Sequence, residues 1–143
     1  MFSSLAQTLT PYSGGLDLGD VDGDGDLDLV MGARQFQDIP GSSVLLNDGT
    51  GVFVDSMQSV GTLYNLSVVL VDLDEDGDLD LVHGLEFHLN DGTGTFETST
   101  QTITGFSFRA FRMAVGDLDK DGDDDLVTAG EIDFEIEVFL NNF

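Results

Sequence analysis

The residues with the clearest chemical potential are aspartates at alternate positions around a glycine. The pattern D-x-D-x-D-G-x-x-D occurs three times. Its copies are Asp20, Asp22, Asp24, Gly25 and Asp28; Asp72, Asp74, Asp76, Gly77 and Asp80; and Asp117, Asp119, Asp121, Gly122 and Asp125. A hard cation such as calcium takes six to eight oxygen ligands at about 2.3–2.6 Å. Alternate carboxylates on a tightly curled loop can converge on one such ion, and glycine at the sixth position permits the bend. The seventh residue (Asp26, Asp78 or Asp123) would offer its backbone carbonyl, and the ninth Asp would close the cage. One Ca2+ per loop, about three per chain, is the expectation. Magnesium fits poorly, because it prefers few protein ligands and strict octahedral geometry. An EF-hand is excluded: position 12 is Met31, His83 or Thr128 rather than Glu, and strands flank the loop instead of helices. Acidic turns that bind nothing would leave several carboxylates repelling one another at close range, three times over.

The loops need elements to hold them, and the chain supplies the same elements each time. Before each loop stands an apolar run (LDLG from Leu16, LSVVLV from Leu66, FRMAVG from Phe111), and after it another (LDLVMG, LDLVHG, DLVTAG). A third run ends in an Asn-containing turn: SVLLN from Ser43, LEFHLN from Leu85, EIEVFLN from Glu135. In the first two repeats Asn-Asp-Gly-Thr-Gly follows, and a fourth strand starts at Phe53 or Phe96. Asp-Gly supplies the positive φ that a tight hairpin needs. The Asp motifs begin 52 and 45 residues apart, a period that indicates propeller blades. No stretch combines helical periodicity with caps. The predicted fold is all-β: three four-stranded antiparallel β-propeller blades, at 12–64, 65–106 and 107–143. Residues 1–11 read as a detached fourth strand. MFSSLAQTLT resembles VFVDSMQSVG and TFETSTQTIT, with Phe2 matching Phe53 and Phe96. That strand would complete the third blade, which lacks its own.

The Asp loop after an apolar strand, then DLVxG, then VLLNDGTGxF, resembles the FG-GAP/VCBS-type repeats of integrin α-subunit propellers and of many bacterial surface and secreted proteins. The resemblance covers nearly the whole chain. It implies a β-propeller with calcium in the loop between the first and second strand of each blade. It further implies extracellular or cell-surface placement and a part in adhesion, glycan or protein binding, or scaffolding. Family propellers usually carry more blades on one chain than the three found here.

Composition narrows the partners. Acidic residues number 28 against 4 basic ones, a formal charge of −24. Nucleic acid requires a basic face, and anionic membranes disfavour this charge too. The chain is 41% hydrophobic, enough for a core, and has no cysteine and hence no disulfide. No apolar run reaches the roughly 18 residues of a bilayer span, and MFSSLAQTLT lacks the features of a signal peptide. In antiparallel four-stranded blades, the Asp loops and Asn-Asp-Gly turns share one end. The opposite connections carry Arg34, Arg109 and Arg112, with Phe36, Tyr64, Phe106 and Phe108, a composition suited to a recognition surface. The same aromatics would also serve as packing between blades. From Glu131 the chain alternates strictly, and Glu131, Asp133, Glu135 and Glu137 read as a solvated face. His83 and His88 read as ordinary strand residues.

No nucleophile–base pattern, phosphate loop or Cys/His cluster is present, so the chain reads as a non-catalytic calcium-binding module for recognition or scaffolding. A polysaccharide-acting enzyme and a purely structural propeller unit are the alternatives. Three blades cannot close a ring, and propellers typically need four to eight. Carrying the repeat from the C-terminus of one chain into the N-terminus of a second gives a spacing of 46 residues, in step with 52 and 45. The expectation is a two-fold homodimer closing one six-bladed ring.

Overall fold

The computed structural model describes residues 7, 9, 14–32, 41–61, 67–102, 110–130 and 136–142. Eleven strands form among them: β1 (Leu16–Gly19), β2 (Asp28–Met31), β3 (Ser42–Asn47), β4 (Phe53–Val60), β5 (Val68–Val71), β6 (Asp80–His83), β7 (Glu86–Asn90), β8 (Phe96–Thr102), β9 (Ala110–Gly116), β10 (Asp125–Gly130) and β11 (Ile136–Phe139). No helix occurs among the described residues. The strands make three antiparallel sheets, β1-β2-β3-β4, β5-β6-β7-β8 and β9-β10-β11. Each is a meander of one repeat. Pairs Gly19↔Asp28, Val71↔Asp80 and Gly116↔Asp125 close the three Asp loops in one register. The first strands lie side by side, β1 against β5 and β5 against β9. At the first of these joints Asp17 Oδ2 accepts the Leu70 N–H at 2.9 Å. The arrangement is propeller-like, and the described sheets do not close into a ring.

Side-chain alternation gives each blade two apolar faces, and the core lies between blades. Val21, Val30, Val44 and Val60 of the first blade pack on Val68, Leu70, Leu81 and Phe96 of the second, with Leu46 and Leu79 at the margin. The other side of the second blade, with Leu73, Val82, Phe87 and Leu89, packs on Met113, Val115, Leu126 and Phe139 of the third. Leu29, Met31 and Leu45 form a third cluster on the far side of the first blade, joined by Phe53 and by Leu9.

A bulge repeats in both outer hairpins. The β3–β4 register shifts between Ser43 and Leu45, and the β7–β8 register shifts between Glu86 and His88. In β4 three residues, Ser56 to Gln58, stand opposite the single Val44, and the middle one, Met57, takes a φ of 62°. Beside it, the Gln58 side chain reaches the next blade, donating to the Gly94 carbonyl (2.9 Å) and accepting the Phe96 N–H (2.8 Å). Gln7 holds Phe53 in the same way, donating to its carbonyl (2.7 Å) and accepting its N–H (3.0 Å).

One expectation is overturned. The alternation from Glu131 placed the acidic side in solvent and Ile136 and Val138 inward. Ile136 and Val138 are instead exposed, at 72% and 56%, while Phe139, on the Glu137 side, packs against the second blade. The apolar side of β11 is the one that would meet a further blade. Residues 131–135, the detached strand apart from Gln7 and Leu9, Arg34, Arg109, Phe36, Tyr64, Phe106 and Phe108 lie outside the described residues.

Candidate metal centres

The three Asp loops fold alike because the ninth Asp is tied down on both oxygens. Asp28, Asp80 and Asp125 are buried. Their Oδ2 atoms accept the N–H of Val21 (3.0 Å), Leu73 (2.8 Å) and Leu118 (2.8 Å), the second residue of each loop. Their Oδ1 atoms accept the N–H of Asn47 (2.8 Å), Asn90 (2.7 Å) and Asn141 (2.9 Å), at the end of the third strand. The loop is thereby curled over its own hairpin. Each carboxylate oxygen keeps a second lone pair for a cation.

At the first position, Asp20 Oδ2 accepts the Gly25 N–H (2.9 Å) and Asp72 Oδ2 that of Gly77 (3.1 Å). Gly25, Gly77 and Gly122 have φ of 93°, 97° and 113°, the left-handed bend expected at the sixth position. Position four is left-handed as well: Gly23 takes it in the first loop, but Glu75 and Lys120 take it in the others. In the third loop the Lys120 N–H donates to Asp117 Oδ1 at 2.6 Å.

These constraints gather the first, third and ninth carboxylates. Asp20, Asp22 and Asp28 each bring one oxygen within 4.8 Å of the others, as do Asp72, Asp74 and Asp80, and Asp117, Asp119 and Asp125. The fifth and seventh positions stand outside these groups. Asp24 and Asp76 accept the N–H of Asp26 (2.9 Å) and Asp78 (3.0 Å) as Asx turns. Asp26 and Asp78 lie under the Asn-Asp-Gly turns: a Cβ on Gly49 would stand 2.7 Å from Asp26 Oδ2, and one on Gly92 2.5 Å from Asp78 Oδ2. The Asp loops and these turns therefore share one end, as their topology requires.

The electrostatics are those of a site short of positive charge. Burial pushes Asp80 up to about 6, and the Asp74 and Asp76 charges add to it, against the N–H bonds from Asn90 and Leu73. Burial and the Asp28 charge raise Asp22. In the third loop burial, followed by its hydrogen bond with Asp121, pushes Asp123 up to about 6. Asp20 Oδ1 and Asp72 Oδ1 are buried without a hydrogen-bond partner. Orphaned buried carboxylate oxygens are costly, and a hard cation at these oxygen-only clusters would satisfy them. The residues present thus fit calcium at three loops.

Each loop is also fastened to the next blade. The Asn90 side chain donates to the Val21 carbonyl of the first loop (2.7 Å) and to the Leu79 carbonyl (3.1 Å), while its Oδ1 accepts the Gly94 N–H (3.1 Å). Asn141 likewise donates to the Leu73 carbonyl of the second loop at 3.0 Å. Asp48 and Asp91 shape the turns beyond these asparagines. Each accepts a threonine hydroxyl and N–H, Thr50 (2.6 and 2.9 Å) or Thr93 (2.5 and 3.0 Å), and these bonds hold both carboxyls below the usual range.

A second kind of cluster escaped the sequence reading. His83 and His88 lie on β6 and β7, as expected, but both are fully buried and flank Glu86, whose Oε2 lies 3.8 Å from His83 Nδ1 and 3.8 Å from His88 Nε2. Pairs His83↔Glu86 and Leu81↔His88 put all three side chains on the side of the second blade that meets the first. The signal was present in HGLEFH: two residues of turn, then alternation, place residues 83, 86 and 88 on one face. Burial lowers the basicity of His88, against the opposing pull of the Glu86 charge. Of the basic residues proposed for a recognition face, Arg112 is described, on β9 opposite Ala129.

Neither the curated proteins nor the solved structures contain a match to this chain. The profile of the FG-GAP-like repeat matches residues 20–83 and again 83–128, spanning all three Asp loops. On that match and the repeated loop geometry, the chain belongs to the FG-GAP-like repeat family.

Proposed function

We propose that the chain is a calcium-loaded propeller module that acts as a non-catalytic recognition or scaffolding unit outside the cell, its ligand a glycan or a protein surface. The observation that carries this reading is the convergence of three carboxylates in each of three loops, with a buried oxygen left without a partner in each, on Asp20, Asp72 and Asp123. Asp20, Asp22 and Asp28, with their counterparts Asp72, Asp74 and Asp80 and Asp117, Asp119 and Asp125, would hold the ions. The fifth carboxylates and seventh carbonyls would complete the shell. Three divalent ions would bring the formal charge from −24 to −18. Repeats of this family are generally non-catalytic and typically extracellular, and no helix among the described residues is long and apolar enough to cross a membrane.

Calcium would serve architecture in this reading, fixing the loops at one end and leaving the other for a ligand. Arg34, Arg109 and Arg112 would lie at the contact. Calorimetric titration of chelator-treated protein tests the metal: about three sites selective for calcium over magnesium are expected, and no binding at millimolar calcium would end the reading. A glycan array on calcium-loaded protein tests the ligand class. A hit without turnover supports recognition, and turnover of the hit would replace it with an enzyme.

A further inference from the structure

The free faces of the first and third blades carry the counterparts of residues that the two inner joints bury. Position by position, residues buried between blades recur exposed at the ends. Val21 (1%) and Leu73 (6%) cap the first and second loops under the following blade, while their counterpart Leu118 is 51% exposed. Val44 and Leu46, and Phe87 and Leu89, face the following blade, while their counterparts Val138 and Leu140 are 56% and 52% exposed. On the opposite side, Val68 and Leu70 are buried against the first blade, but Leu16 and Leu18 are open. The polar fastenings break off at the same places. Asn90 and Asn141 each donate to the loop of the preceding blade; Asn47 donates to its own Leu27 carbonyl (3.0 Å). Gln7 accepts the Phe53 N–H as Gln58 accepts the Phe96 N–H, so Gln7 stands where the outer strand of a preceding blade would stand. Leu9 packs on the same side. Gln101 is next in that series in sequence, five residues after Phe96 as Gln58 is after Phe53 and Gln7 after Phe2.

From these matched halves, and resting on the propeller reading, we propose that the third blade of one chain receives the first blade of a second copy, and the reverse, closing a six-bladed ring. The joint repeats those already made inside the chain. Leu118, Val138 and Leu140 of one copy cover Leu16, Leu18 and Leu29 of the other, and Asn47 donates to the Leu118 carbonyl across the joint. Two equal joints relate the copies by a two-fold axis. Six blades fall within the range that closes, whereas an open fan leaves an apolar face at each end. Light scattering on calcium-loaded protein at micromolar concentration should give twice 15.3 kDa. Leu18→Asp and Val138→Asp alter side chains already exposed in the single chain and outside the metal loops, so each should yield a folded monomer that still responds to calcium. A wild-type monomer, a trimer or open polymer, or a dimer that survives both substitutions would overturn the ring. The calcium-dependent melt of the monomeric variants reports on the metal reading separately.

A different observation carries a second proposal. Neither ring nitrogen of His88 has a hydrogen-bond partner, although the side chain is fully buried in the joint between the first two blades. His83 Nδ1 and Glu86 Oε2 converge with it, one donor atom from each lying within 4.8 Å of the others. Gly61 closes over them: a Cβ there would stand 2.3 Å from His83 Nδ1 and 2.8 Å from Glu86 Oε2. We infer that His83, Glu86 and His88 form a site for a borderline divalent metal, of the zinc, nickel or copper class, distinct from the oxygen-only loops. Two imidazoles and one carboxylate suit such ions and suit calcium poorly. Zinc bonds of about 2.0–2.1 Å require donor atoms roughly 3.3 Å apart in a tetrahedron, so the two 3.8 Å separations from Glu86 close with shifts of a few tenths of an ångström, and the two histidine donors start within 4.8 Å of each other. Water would fill the open position beside the partly exposed Glu86. Cobalt titrated into calcium-saturated protein should give the intense visible bands of a low-coordinate N/O site and be displaced by zinc. His88→Gln and Glu86→Gln should each lower the affinity at least tenfold while keeping the calcium-dependent melt. If a substitution unfolds the chain, zinc must still raise the wild-type melting midpoint in excess calcium. Absence of such bands, or bands that survive His88→Gln, would overturn the site.

Discussion

Asn90→Ala should be among the most damaging single substitutions that touch no metal ligand and no large apolar side chain. The amide makes three bonds: to the Val21 carbonyl across the joint, to the Leu79 carbonyl and from the Gly94 N–H. A buried hydrogen bond is worth about 0.5–1.5 kcal/mol net, and a group left unpaired in a buried place costs about 1–3 kcal/mol. Val21 is buried, so its carbonyl is the group that water reaches least easily. The bonds and the stranded carbonyl together give about 2–4 kcal/mol. Equilibrium unfolding in urea at fixed calcium measures it, with an unchanged slope showing that only stability moved. Asn90→Asp sharpens the test at neutral pH, because the carboxylate keeps an acceptor for Gly94 but turns a second, charged acceptor toward two carbonyls. It should be less stable than Asn90→Ala. A loss below about 1 kcal/mol for Ala, or an Asp variant more stable than the Ala one, would refute the reasoning.

Three other outcomes are expected. Chelation should lower the melting midpoint, since an ion held at a hundred times its dissociation constant stabilises by about 2.7 kcal/mol per site; equal midpoints in calcium and chelator would count against the loops. Asp80→Asn should remove one ion from the stoichiometry measured by calorimetry and leave the rest, because Asp80 serves the second loop alone. Lys120→Gly, at a left-handed position, should stabilise by about 0.5–1 kcal/mol in the same urea assay, the relief of positive φ outweighing the entropy of glycine.

Much of this structure was legible because each repeat states the same thing three times. The strands around Leu16, Leu29, Leu45 and Phe53, and their counterparts, followed from apolar runs bounded by Asp-Gly loops, and the bend at Gly25, Gly77 and Gly122 followed from residue type. The division of labour within the loop was not legible. Composition does not say that Asp28 has both oxygens occupied by backbone N–H groups, because its partners Val21 and Asn47 are brought in by the hairpin. The side of β11 that faces solvent was also misread: strict alternation gives two faces, but which one is covered depends on the next blade. His83 and His88 were passed over for a related reason, since their meeting with Glu86 depends on a two-residue turn whose register periodicity alone leaves open.

The asparagine joint has an evolutionary consequence. Asn90 reads only a backbone carbonyl of the preceding loop, and so does Asn141, so the fastening does not depend on which side chain stands at Val21 or Leu73. Every repeat carries both the donor for its predecessor and the acceptor for its successor. A duplicated repeat therefore arrives already able to join on either side, with no compensating change elsewhere.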